Sequence, residues 1–332
     1  MLGILVFFHE FGHFITAKML KIKVNEFCIG FGPKLLGFEK GETVYTVRVF
    51  PLGGFVKMEG EDEKSEDERG FSNKPVWQRL IVVMSGPIMN FLLAIFLVWL
   101  IAFFSGIATT TIDAVIPGAP AEKAGLRPGD NIISINNNEI TNWQQISETI
   151  GQSYKNNVKI DILREDKVLS YNITPIIEKE KIGDTEIEQA IVGIRPYMEK
   201  YRPISSLISA FERTIWFTAS IIVGIAMMIK GSMVAEITGP IGIIHIVGEA
   251  AKHGIFNLFQ LGSYISINLG LINLLPIPAL DGGRIVFFLI ELIRGKPLDP
   301  DKEGLIHFIG FAFLMILMIL IIFKDISKLN LF

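Results

Sequence analysis

Two histidines four residues apart, with a glutamate directly after the first, stand in the run "FFHEFGHF" at residues 7–14. In an α-helix that spacing puts both imidazoles on one face. Zinc takes neutral imidazole nitrogens at about 2.0–2.1 Å, and Glu10 can reach a metal-bound water. The H-E-x-x-H pattern therefore suits metal-assisted hydrolysis, with His9 and His13 as ligands and Glu10 as general base. Three fixed positions also recur by chance, and the plain alternative is a pair of helix-facing histidines hydrogen-bonded across a bundle. The setting weighs against that alternative. The run is apolar enough for a bilayer, where ionisable groups are expensive and need partners. A metal ion would be one such partner.

A catalytic zinc takes a third protein ligand and keeps one position open for water. His245, His253, His307 and acids near the membrane are candidates, and Asp281 stands out among them. It follows "NLGLINLLPIPAL" and precedes Gly282 and Gly283. Pro276 and Pro278 each remove a backbone donor and break a helix, and the two glycines read as added backbone freedom. A broken helix at membrane depth is tolerated only where it packs in protein or lines a wet cavity. The competing role for Asp281 is to cap the next helix, near Arg284. Capping alone leaves the Pro-x-Pro break unexplained. His245 and His307 read as hydrogen-bonded structural residues, and His253 as interfacial.

These residues must be held by membrane-grade elements. Half of the 332 residues are hydrophobic and the mean hydropathy is +0.45, which points to a bilayer protein. Residues 2–20, 80–104, 255–275 and 304–323 each approach the roughly 20 residues of a spanning helix. A fifth stretch, 214–229, is short and flanked by charge, and suits either a tilted span or an interfacial helix. Eight residues precede His9, a short run for a crossing helix. The reading expects tilt, a locally thinned bilayer, or further residues upstream. No cleavable signal pattern is apparent.

Between the first two spans, β-prone residues at 43–50 and 55–58 with Gly53 and Gly54 between them suggest a small sheet. The acids of "EGEDEKSEDER" that follow read as a solvated loop. Residues 108–197 have soluble composition and alternate strand-like runs with Gly/Pro turns, as a compact α+β module does. The net charge of −3 carries no basic block, so nothing indicates nucleic acid. Cys28 is the single cysteine, which excludes an internal disulfide. It reads as a small, partly buried thiol.

"HEFGH", "PLGGFVKM", "GPIMNF" and the pattern N-x-x-P-x-P-x-L-D-G-G, taken together, resemble the site-2 protease family of intramembrane zinc metalloproteases. Order and spacing are similar to the bacterial regulator of sigma-E protease branch over essentially the whole chain. The resemblance implies a multi-pass α-helical membrane protein of about four transmembrane helices, with a membrane-associated β-element and an inserted α+β PDZ domain. "AGLRPGD", residues 124–130, resembles the turn of bacterial PDZ modules. A size-filter role and peptide capture at a sheet edge both stay open for that module. The implied divisions are a membrane core at 1–105, the PDZ domain at 106–200, an interfacial region at 201–254 and a second membrane core at 255–332. Some relatives carry two such modules in tandem, where this chain has one.

The resemblance further implies that Zn²⁺ is bound by His9, His13 and Asp281, that Glu10 is the catalytic base, and that Asn273 holds substrate backbone. Expected substrates are single-span membrane proteins such as anti-sigma factors, and signal-peptide remnants. The expected location is the bacterial cytoplasmic membrane with the PDZ domain outside, which makes residues 204–229 an interfacial or partly inserted helix on the outer face. In "GPIMNF", small residues let helices approach and the Asn90 amide bonds across the interface. Segment 43–50 is expected either to offer an unpaired edge to the substrate or to act as a scaffold hairpin. Two other classes, a silent zinc-binding chaperone and a metal transporter, are disfavoured by the intact Glu10 and by the lack of repeated halves.

Overall fold

The computed structural model describes residues 1–61, 63, 65–154, 156–182, 185–231 and 238–328. Parts of the acidic loop, of the soluble module and of the 201–254 region expected from the sequence therefore lie outside the described residues. The chain forms two compact units. One comprises Met1–Ile101 and Ala210–Phe332, the other Ala102–Ser209.

The first unit begins with α1 (Leu2–Met19), whose Lys18 lies in the last turn, where a cation suits the helix dipole. Strands β1 (Val24–Lys40) and β2 (Thr43–Met58) follow. The register is folded over. Residues 26–29 of β1 pair with both 44–47 and 54–57 of β2, and the tip pairs 34–40 with 43–48. Gly41, at φ +67°, makes the turn that a side chain would strain. The outer part of this sheet exposes Leu35, Leu36, Phe38 and Phe50, the mark of a surface made for lipid or a partner. Helix α2 (Val76–Ser105) carries Pro87 inside it.

Ala17, Ile22, Val24, Phe27, Val56, Met58, Val82 and Val83 share one buried cluster with Phe288. That cluster locks the sheet and the two helices together, and so sets where the histidines point. Apolar burial of this kind stabilises by about 25 cal/mol per Å².

The second unit is a small α+β domain. Its elements are β3 (Ile107–Val115), α3 (Pro120–Ala124), β4 (Asn131–Ile135), β5 (Asn138–Glu139), α4 (Trp143–Ser153), β6 (Val158–Arg164), β7 (Lys167–Ile173), β8 (Ile176–Ile182), β9 (Thr185–Ile191) and β10 (Ile194–Glu199). The main sheet has the order β10-β3-β4-β6-β7. Ile132, Ile135, Ile146, Ile160 and Ile162 fill its core. Asn142 caps α4 through Gln145 N–H. The "GLRPGD" turn is held from within: Asp130, buried, accepts from Arg127 N–H and from the Arg164 guanidinium. Tyr201 N–H donates to the Phe103 carbonyl at 3.1 Å, so the two ends of the domain lie side by side.

The chain then returns to the first unit through α5 (Pro203–Ile229), α6 (Pro240–Lys252), α7 (Ile255–Asn273), α8 (Asp281–Arg294) and α9 (Pro300–Lys328). Helix α7 runs antiparallel to α2. Gly262 faces Leu97, Ser266 bonds to the Asn90 carbonyl, and Gly270 abuts Pro87. Asp325 near the end of α9 accepts from Gly239 and Gly242 N–H at 3.0 and 2.9 Å, which caps the start of α6.

Among the described residues, four helices are long and apolar enough to cross a membrane: 76–105, 203–228, 255–273 and 302–327. This set differs from the expected one. The first helix falls outside it because His9, Glu10, His13 and Lys18 dilute its apolar character. Helix α5 falls inside it because the helix continues eleven residues upstream of the stretch 214–229.

Candidate metal centre

Helix α1 places His9 and His13 one turn apart, as their spacing predicts, and both are buried. Their Nε2 atoms lie 3.3 Å apart. The third group arrives from a remote part of the chain: Asp281 Oδ2 is 3.2 Å from His9 Nε2 and 3.5 Å from His13 Nε2. A tetrahedral ion with bonds of about 2.0–2.1 Å sets its donors roughly 3.3–3.4 Å apart. The three atoms thus form one face of such a tetrahedron. Asp281 Oδ2 is buried and accepts no hydrogen bond among the described residues, a costly state for a carboxylate without a cation. The residues fit zinc. Among the described residues this is the one grouping of three metal-type ligands.

The orientation of the rings is set by α2. His13 Nδ1 lies 2.9 Å from the Val82 carbonyl, so that nitrogen donates its proton and Nε2 presents a lone pair. His9 Nδ1 lies 3.0 Å from the side-chain amide of Asn90. The cross-interface bond expected of Asn90 therefore ends on His9 itself.

Asp281 is carried by the turn between α7 and α8. Its rival role as a cap does not apply, since Leu280 occupies the cap position and Asp281 is the first helical residue. The expected freedom of Gly282 and Gly283 is also corrected. Neither has a positive φ. A side chain at Gly282 would meet the Leu274 and Leu275 backbone, and one at Gly283 the Ile277 carbonyl. Space is what these glycines provide. The left-handed residue of the turn is Ala279, at φ +76°. Its N–H donates to His307 Nδ1 at 2.9 Å, so His307 is a structural partner, as expected, and pins the turn from α9. His245 and His253 sit on and just after α6, apart from this grouping.

Glu10 lines the same cavity of about 670 Å³ as His9, His13 and Asp281. Asn273, at the end of α7, lines it too, with Nδ2 3.5 Å from His9 Nε2. Gly54, Phe55 and Val56 form a further wall. Of the two roles expected for segment 43–50, the pairing favours the scaffold hairpin over the open edge. Residues 44–47 are paired on both sides, to 26–29 and to 36–39, so the middle of segment 43–50 has no free edge. The strand that borders the cavity is 54–58, which pairs only with 24–29 among the described residues. Sequence reasoning missed this because alternation marks a strand but not its neighbours. It also missed the pair Arg284–Glu61 at the cavity wall and the part-buried pair Arg79–Glu291 at 2.6 Å, which tie α8 to the β2–α2 segment and to α2.

The sequence pattern of peptidase family M50, the site-2 proteases, matches residues 1–317. The chain belongs to that family. This M50 chain is 38% identical to a protein of Clostridium acetobutylicum, over 98% of its own length and 94% of the relative's. It is 34% identical to the zinc metalloprotease RasP of Geobacillus kaustophilus, over 98% and 96%. The regulator of sigma-W protease RasP of Bacillus subtilis is 32% identical, over 98% and 96%. The chain is accordingly a zinc metalloprotease with several membrane-grade helices. The chain aligns with a solved PDZ domain of an SdrC-like protein from Listeria monocytogenes at 22% identity, over 28% of this chain and 88% of that one, with a TM-score of 0.21. That likeness is too slight to carry an argument.

Proposed function

We propose that this M50 protease cleaves single-span membrane proteins, of the anti-sigma-factor kind, and signal-peptide remnants within the bilayer. The observation that carries the reading is the His9–His13–Asp281 triangle set among apolar helices. Bound there, zinc would polarise the scissile carbonyl and acidify its water. The chain's own residues do the rest. Glu10 takes the water proton and returns it to the leaving amine. The Asn273 amide holds substrate backbone beside His9. Peptide bonds in a helix are shielded, so the substrate unwinds and adds to the free edge of strand 54–58. The inserted domain acts as a PDZ module that screens or grips the substrate's outer part.

The reading places this domain outside the cytoplasmic membrane of a bacterium. The direction of α7 supports an interfacial α5. Since α7 runs against α2, the chain must make an even number of crossings between them. Helix α6 has 13 residues, about 20 Å, against a hydrocarbon core of about 30 Å. It is too short to return by itself, which supports an α5 that lies in the outer interface or re-enters without crossing.

The test is cleavage of a single-span substrate by the purified protein in liposomes, beside Glu10→Gln. Cleavage within the span by the native protein alone is expected, with zinc retained by the variant. A variant that still cuts would remove Glu10 from the mechanism, and a cut confined to segments outside the span would remove the intramembrane assignment.

A further inference from the structure

The two metal-facing histidines are oriented by different means. His13 has a backbone carbonyl, that of Val82, opposite its Nδ1. Among the described residues, His9 Nδ1 has only the side-chain amide of Asn90, whose Nδ2 is placed 3.0 Å away. Asn90 is fully buried, in the middle of α2. Its backbone is fixed independently of its side chain: Ser266 Oγ donates to the Asn90 carbonyl at 2.8 Å, and Gly270 packs against the same turn. The other end of the side-chain amide, Oδ1, has no hydrogen-bond partner among the described residues. Nothing but the imidazole therefore determines which way the amide faces.

That choice decides what His9 can bind. With the NH₂ end toward the ring, Nδ1 must accept, and the ring proton sits on Nε2. A protonated Nε2 offers no lone pair to a cation. With the carbonyl end toward the ring, Nδ1 donates and Nε2 is free. The two ends of an amide exchange by rotation about one bond, at the same 3.0 Å separation.

We infer that Asn90 is a positioning residue for the metal centre, whose side-chain carbonyl takes the Nδ1 proton of His9 and so turns the Nε2 lone pair toward zinc. Helix α2 then sets both imidazoles, through Val82 for His13 and through Asn90 for His9. The inference rests on His9 being a ligand. It gives "GPIMNF" a second task besides helix packing: Gly86 makes room for one ring and Asn90 orients the other.

The experiment measures zinc affinity of the full chain in detergent by chelator competition, together with the visible spectrum of the Co²⁺-loaded protein. Thermal unfolding of each metal-free variant serves as the fold control. Asn90→Leu keeps the volume and removes the acceptor. Its zinc affinity is expected to fall 10- to 100-fold with the unfolding temperature little changed. Asn90→Asp keeps an acceptor and is expected to stay within a few-fold of native, with a native-like Co²⁺ spectrum. Native affinity in Asn90→Leu overturns the inference. So does equal loss in both variants that tracks lost thermal stability, which is the signature of packing alone. His9→Ala is measured beside them: native affinity there removes His9 from the ligand set, and loss there without loss in Asn90→Leu removes Asn90 only.

Discussion

Gly86 of α2 lies directly beneath the imidazole of His13: a Cβ added there would run into Nε2, Cε1 and Cδ2 of the ring. The metal-facing nitrogen of α1 thus depends on a missing side chain in α2. Gly86→Ala should tilt the ring away from His9 and Asp281. Zinc affinity is expected to fall at least about tenfold, with cleavage falling in step. Zinc content per protein checks this, and a variant with native zinc content would show that the ring has room to move.

Gly54 offers the contrasting case. A Cβ there would sit 2.9 Å from Glu10 Cγ and 2.8 Å from the Cys28 carbonyl. Gly54→Ala should therefore displace the proposed base while leaving the ligands in place. The expected outcome is native zinc content with cleavage reduced by about 10²-fold or more. If zinc content falls as in Gly86→Ala, Gly54 shapes the metal centre rather than the base.

The turn that carries Asp281 rests on His307. His307→Ala leaves the Ala279 N–H without its 2.9 Å acceptor and should weaken zinc binding several-fold. Ala279→Gly acts in the other direction. It relieves a left-handed backbone worth about 1 kcal/mol and should raise the unfolding temperature with zinc affinity unchanged. Calorimetry of both variants checks the pair, and a destabilised Ala279→Gly would contradict it.

In the inserted domain, Asp130 is 1% exposed and its partner Arg164 20%. Arg164 bonds both carboxylate oxygens and the Gly125 carbonyl. Arg164→Ala strands a buried charge, and a loss of about 3–5 kcal/mol is expected. Hydrogen exchange of the β6 and β7 amides in the full chain measures it. Protection unchanged from native would show that water reaches Asp130.

Asp161 gives the domain a pH dependence. The Ser134 and Ser170 hydroxyls bond its two oxygens and hold its carboxyl below the usual range, with Lys159 adding to the effect. A carboxyl whose value is lowered by folding stabilises above its unfolded value, near pH 3.9, and that contribution disappears as pH falls through the lower folded value. Ser134→Ala with Ser170→Ala should flatten the acid limb of the stability curve below about pH 4. An unchanged acid limb would remove these bonds from the account.

The local facts were legible from the chain. His9 and His13 had to share a face because an α-helix repeats every 3.6 residues, and the apolar runs at 80–104, 255–275 and 304–323 had to be helices because lipid satisfies no backbone. The Pro-x-Pro break before Asp281 was equally plain. What the tertiary structure decided were relationships across long stretches of chain. It brought Asp281 within 3.2 Å of His9, set Asn90 against His9 and Gly86 under His13, and made strand 54–58 rather than 44–47 the one with an open edge. It also showed that Gly282 and Gly283 serve close packing, where the sequence suggested freedom. Periodicity is a property of neighbours along the chain, and it fixes which way a residue faces on its own element. Which element lies opposite is settled by packing, where Gly86 under His13, Gly12 against the Ser85 carbonyl and Gly270 against Pro87 determine how closely three helices approach.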